Sequence, residues 1–240
     1  ALQLLGEGEA PTNPAALSPL LGLARAAACR NDFDAARRHF ARAHALVGQS
    51  FGADELRAAE VADHHGDMLL RAGEPKPALA QYLRGLEIRK ARLPADAPLL
   101  AESLRRLAEL HRRGGRYPEA AALLQRARTL REGGPMAESP EAAEIYLRLG
   151  DLALERGQAT VARADHERAV AIYTAVSDSD TLELAQARFG LARALSSESG
   201  GLAPNARGLA EQALAALQSR GPAYEPEQKA IRAWLAARAR

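Results

Sequence analysis

Between Leu99 and Leu130 the apolar positions fall at helical spacing twice over. Leu100, Leu104, Leu107, Ala108 and His111 mark one face of a charged segment, and Ala120, Leu123, Leu124, Ala127 and Leu130 mark one face of the next. Gly114-Gly115 separates the two runs. Pro118 stands at the start of the second, where its missing N–H leaves no bond unmade. The pattern predicts a helix–turn–helix hairpin with small residues where the helices approach.

The same hairpin recurs along the chain. Ala36, Ala78, Ala120, Ala162 and Ala206 share one register position, at intervals of 42, 42, 42 and 44 residues. Seven residues later come Ala43, Gly85, Ala127, Ala169 and Ala213. Between them lie Phe40, Tyr82, Leu124, His166 and Ala210. Several features repeating at one interval predict stacked repeats, each burying its apolar face on the next. Helices are expected over Pro19–Arg30, Asp34–Gln49 (capped by Asp34), Ala53–Arg71, Pro75–Leu93, Pro140–Arg156, Ala159–Val176, Thr181–Ser197 and Pro204–Ser219. A last helix over Pro226–Arg238 places Ile231, Trp234 and Leu235 on one face, as a cap on the final repeat. Breaks are expected at Gly133-Gly134-Pro135 and at Ser177-Asp178-Ser179-Asp180. No segment alternates as a half-buried strand does.

The pattern resembles the tetratricopeptide repeat, in the 42-residue kinesin-light-chain form. The resemblance rests on Leu149-Gly150 with Gly157 and Ala162, on Gly66 with Gly73 and Ala78, and on Leu107-Ala108 with Gly115-Arg116-Tyr117-Pro118-Glu119-Ala120. It implies an all-α fold, an α-solenoid or right-handed superhelix of five hairpins with a C-terminal capping helix, acting as a non-catalytic scaffold for a protein or peptide ligand. The expected divisions are an N-terminal linker or remnant at 1–17, and a repeat domain at 18–221 with units near 18–52, 53–96, 97–138, 139–180 and 181–221. The capping helix is placed at 222–240. In this family the first helix of each pair lines a concave groove. The groove positions are then Asp63, Asp67 and Leu70 in the second repeat, and Glu102, Arg105, Glu109 and Arg112 in the third. The fourth supplies Glu144, Leu147, Asp151 and Leu154. Where the kinesin-light-chain type often carries paired Asn, this chain reads Arg105-Arg106.

Composition narrows the function. Hydrophobic residues make up 47% but aromatics only 4%, so Ala and Leu carry the packing. With 32 basic and 30 acidic residues the net charge is +2, which argues against a general nucleic-acid surface. A single cysteine, Cys29, cannot form an internal disulfide, so a reducing, cytoplasmic setting is expected. No apolar run reaches the roughly 18 residues of a membrane span. Opening on Ala1 rather than Met reads as an excised or processed piece.

Charge is uneven along the repeats. Ala101–Pro135 holds eight Arg against four Glu, net +4, and Met136–Glu183 four Arg against ten acids, net −6. Opposite signs on successive units favour an oriented partner or head-to-tail self-association.

Candidate chemistry is sparse. Asp63-His64-His65 matches a tripeptide that holds metal in a phosphoesterase family, but that site needs further ligands on a sheet-containing domain. His39, His44, His111 and His166 fall at or beside packing positions, so no metal or other cofactor is expected. Neither a phosphate loop nor a kinase catalytic signature occurs. The segments around Phe189–Leu195, Leu209–Leu214 and Ala233–Arg238 resemble the C-terminal repeat region of bacterial, notably myxobacterial, serine/threonine kinases. That likeness implies a regulatory or substrate-recruiting arm of a signalling protein.

Overall fold

A computed structural model describes residues 13–50, 55–132, 137–176 and 181–238. The two expected breaks and the residues before Asn13 lie outside these ranges. The described residues are all-α and contain no strand. Eleven α-helices follow in order: α1 (Leu17–Cys29), α2 (Phe33–Ser50), α3 (Leu56–Arg71), α4 (Pro75–Arg92), α5 (Leu99–Arg113), α6 (Tyr117–Glu132), α7 (Pro140–Glu155), α8 (Ala159–Val176), α9 (Leu182–Ser199), α10 (Pro204–Ser219) and α11 (Glu225–Ala237). They form two compact units, divided after Gly115.

In the first unit α1 pairs with α2 and α3 with α4, while α2 packs on α3 and α4 on α5. The leading helices α1, α3 and α5 lie side by side. In the second, α7 pairs with α8 and α9 with α10, α6 packs on α7, α8 on α9, and α7 and α9 are neighbours. This is helical-hairpin stacking of α-solenoid type.

The recurrent small residues are what let the helices approach. Ala36, Ala78, Ala120, Ala162 and Ala206 are all fully buried, as are Ala43, Ala127, Ala169 and Ala213. Phe40, Tyr82, Leu124, His166 and Ala210 between them are buried as well, so one register position is filled by five different side chains. Turns are equally regular. Asn31, Gly73, Gly115, Gly157 and Gly200 all have positive φ, between 60° and 79°. This left-handed geometry ends the leading helix and reverses the chain, and it favours glycine because a Cβ crowds the following carbonyl.

Three local expectations are corrected. The cap of α2 is Asp32, whose Oδ1 accepts from Ala35 N at 3.0 Å, and Asp34 sits inside the first turn. On α5 the buried stripe is rotated: Ser103 and Leu110 are buried, while Leu104 and His111 are half-buried. The remnant assigned to 1–17 overlaps structure, since Pro14–Ala16 is a short 3-10 turn capped by Asn13, and Leu17 begins α1.

The end of the chain closes as the pattern predicts. Ile231 of α11 is buried against Ala213, Ala216 and Leu217 of α10, and Trp234 meets Phe189 edge-on at 5.6 Å. Buried Gln228 donates to the carbonyls of Leu217 (3.1 Å) and Gly221 (3.3 Å), tying α11 to the C-terminal end of α10.

Candidate functional site

The leading-helix face of the first unit carries a charge network joining α3, α4 and α5. Arg89 of α4 is buried; its Nη2 lies 2.7 Å from Asp63 Oδ2, and its Nη1 donates to Ser103 Oγ at 2.6 Å. Arg106 of α5 reaches three carboxylates. Its Nε donates to both oxygens of Asp67 at 3.3 Å, its Nη1 lies 3.6 Å from Asp63, and the same Nη1 donates to Glu102. Arg105 clasps Glu102 with two bonds, at 3.0 and 2.7 Å. Tyr82 of α4 donates to Asp67 at 2.8 Å. Two turns further along α5, Arg112 holds Glu109 through bonds of 2.8 and 3.0 Å, with Arg113 on the same carboxylate.

Burial and these cations pull the carboxyls in opposite directions. Burial pushes Asp63 up against the pull of Arg106 and Arg89. Burial opposes ionisation of Asp67 too, but its contacts with His64, Arg106 and Tyr82 outweigh it and hold this carboxyl below the usual range. At Glu102 burial is again outweighed, by Arg105 and then Arg106, and the carboxyl is held down to about 2. Glu109 falls to about 2 in the same way, through Arg112 and Arg113. Burial and Asp67 push the Tyr82 hydroxyl upward.

Two of the expected groove positions are corrected. Asp63 is 2% exposed because Arg89 and Arg106 cover it; it joins helices rather than facing solvent. Leu147 is fully buried among Ala143, Ile172, Tyr173 and Leu184. Asp67, Leu70, Glu102, Arg105, Glu109, Arg112, Glu144, Asp151 and Leu154 are half-buried. Arg106 and Arg89 were not among the expected site residues. A signal for Arg106 exists in the sequence: an acid followed four residues later by a basic residue type recurs every 42 residues, as Glu60/His64, Glu102/Arg106 and Glu144/Arg148. For Arg89, on a trailing helix, the period offers Arg131, 42 residues on and buried as well.

In the second unit Arg148 of α7 lies 3.4 Å from Glu144 and 3.3 Å from Asp151. His166 of α8, fully buried, is wedged between α7 and α9. A Cβ on Gly150 or Gly190 would come within 2.7 or 2.3 Å of its ring. Its Nε2 lies 3.9 Å from Asp151 Oδ1, at the register position where Tyr82 meets Asp67. Burial, then Arg193 and Arg148, lower His166 to about 3. A cavity of 220 Å³ is lined by Pro140, Glu141, Glu144, Tyr173, Thr181 and Glu183.

The Asp63-His64-His65 tripeptide does not converge. Asp63 turns to Arg89 and Arg106, and His64 lies 4.0 Å from Glu60 and 3.8 Å from Asp67. His65 turns to α2, stacking on Phe40 at 5.0 Å, with its Nδ1 3.2 Å from His44 Nε2. No group of three or more His, Cys, Asp or Glu among the described residues is placed to hold a metal ion.

Tetratricopeptide repeat family models match residues 14–91 and 100–132. No curated protein sequence matches the chain significantly. Among solved structures, a Podosopora anserina protein of kinesin-light-chain type with nearly identical TPR-like repeats is similar over 85% of this chain and 95% of its own, at 19% identity and a TM-score of 0.65. BtubC (BKLC) from P. vanneervenii is 19% identical over 92% of this chain and 90% of its own, with a TM-score of 0.56. Pseudomonas aeruginosa pilF is 16% identical over 92% and 89%, with a TM-score of 0.58. At these identities the likeness is one of fold.

Proposed function

Because this chain is a tetratricopeptide repeat protein, matching that family over 14–91 and 100–132, we propose that it is a non-catalytic scaffold whose leading-helix faces hold an extended peptide or a partner helix. The family's usual role is protein interaction rather than catalysis. The observation that carries the reading is on α5: Arg105, Glu109 and Arg112 are locked in ion pairs along one face and stay partly exposed, at 16%, 22% and 29% of their side-chain surface. Side chains held in place lose little rotamer freedom on binding, so the ordering cost of association is low. Leu70 on α3 offers an apolar point on the neighbouring leading helix. No helix among the described residues is long and apolar enough to cross a membrane. The ligand is a protein rather than a nucleic acid, since the near-neutral chain lacks a continuous basic stripe with stacking aromatics.

A displayed peptide library selected on the wild-type chain tests this. The selected peptides are expected to bind Arg105→Ala, Arg112→Ala and Leu70→Ala at least about tenfold more weakly, a loss of about 1.4 kcal/mol. Undiminished binding by all three variants overturns the assignment of the face.

A second reading follows from the resemblance of α9, α10 and α11 to kinase-associated repeats: the chain serves as the recruiting arm of a bacterial signalling kinase in the cytoplasm. The sequence of the intact gene product decides it. The opposite charges of Ala101–Pro135 and Met136–Glu183 support head-to-tail self-association, which light scattering at low and high salt tests.

A further inference from the structure

We propose that His44 and His65 together bind a divalent transition-metal ion of the zinc class where α2 meets α3. The two imidazole nitrogens, His44 Nε2 and His65 Nδ1, face one another at 3.2 Å. An ion bound tetrahedrally with bonds of about 2.0–2.1 Å holds two ligand nitrogens about 3.3–3.4 Å apart. The rings therefore need little translation to share one ion. They need only a rotation that aims both lone pairs at a common point beside the line joining them.

The surroundings favour a fixed pair. His65 is stacked on Phe40, rings 14° from parallel, and Phe40 is fully buried. His44 leans on His65 at 5.4 Å, at an interplanar angle of 55°. Each ring is carried by a helix anchored next door, with Ala43 and Val47 buried on α2 and Ala62 and Gly66 buried on α3. Both histidines are half-buried, which leaves a path for an ion and its waters. The ring that now donates must move its N–H to its other nitrogen, a tautomer change that releases no net proton.

The neighbouring charges set the strength. Arg84 of α4 faces His44, and Arg37 of α2 and Glu74 face His65. Arg37 is occupied by Asp34 and Glu74. Arg84 is the cation that opposes an incoming ion. No third protein ligand joins the pair among the described residues, so water completes the coordination and the site is open to a further donor from solution.

Calorimetric titration of the chain with Zn²⁺, and with Ni²⁺ in parallel, tests the proposal. One ion per chain is expected, with a saturable rise in melting temperature. His44→Gln or His65→Gln is expected to weaken affinity by about tenfold or more. His39→Gln leaves it unchanged, and Arg84→Gln tightens it, an effect a purely structural histidine pair does not produce. If either histidine variant fails to fold, ring ¹⁵N spectra of the wild-type chain decide: Zn²⁺ must shift His44 Nε2 and His65 Nδ1 ahead of the other imidazoles. Equal Zn²⁺ affinity in the wild type and a His44→Gln/His65→Gln double variant overturns the site, as do shifts confined to other histidines. Peptide selection on the Arg105 face does not depend on the result.

Discussion

Arg106 of α5 bonds to Asp67 of α3 through one nitrogen, 3.3 Å from each carboxylate oxygen. The guanidinium also spans to Asp63 and to Glu102, with its side chain only 12% exposed. It is the element through which two leading helices share charge. Removing it takes the guanidinium from Asp67, while Arg89 still holds Asp63 and Arg105 still holds Glu102. Arg106→Gln is expected to destabilise the chain by about 1 kcal/mol in urea unfolding, since Asp67 is partly solvated and the other two carboxylates keep a cation. In the same variant the Asp67 and Glu102 carboxyls are expected to titrate higher, by carbon-13 NMR. Unchanged titration of both contradicts the network.

Acid stability of the second unit turns on two adjacent residues of α8. His166 drops from 6.5 to about 3 on folding, so between those values the unfolded chain takes the proton and stability falls as pH falls. Asp165 rises from 3.8 to about 6, chiefly through burial, so in that window the native state holds the proton and stability rises as pH falls. The two slopes oppose each other where the windows overlap. Relative to the wild type, His166→Phe is expected to gain stability as pH falls from 6 toward 3.8, and Asp165→Asn to lose it more steeply. Denaturant unfolding across this range measures both; parallel pH profiles for the two variants contradict the assignment.

The fit of His166 between helices makes a coupling prediction. A Cβ at Gly190 meets its ring at 2.3 Å, and Gly190→Ala is expected to cost about 1–3 kcal/mol through overpacking. In a His166→Ala background the same substitution meets no ring, and its cost falls sharply. A double-mutant cycle measures the difference, and additive effects show that the ring is not the obstacle.

Turn geometry gives a smaller effect. Gly157 has φ 71°, and Gly157→Ala is expected to cost about 1 kcal/mol for placing a Cβ in the left-handed region. Asn31 occupies the same slot at φ 60°, so Asn31→Gly is expected to be close to neutral. Thermal melts of the two variants test the contrast.

The hairpins were legible because their cause is local and repeated. Small residues at Ala36, Ala78, Ala120, Ala162 and Ala206 report close helix approach, and Gly73, Gly115 and Gly157 report a left-handed turn, each within a few residues of chain. Even the mixed series Phe40, Tyr82, Leu124, His166 and Ala210 was readable, since the period places them whatever their chemistry. Register, however, states which face of a helix a residue occupies, not what stands opposite. Asp63 and Arg105 are equivalent by period, yet Asp63 is buried under Arg89 and Arg106 of other helices while Arg105 is partly exposed and pairs with Glu102 of its own helix. His44 and His65 lie 21 residues apart, and only the packing of α2 on α3 brings their nitrogens face to face. Periodicity along a chain follows from covalent geometry and the burial of apolar area. Partnership between charges, and between rings, depends on distances across helices that no single stretch encodes.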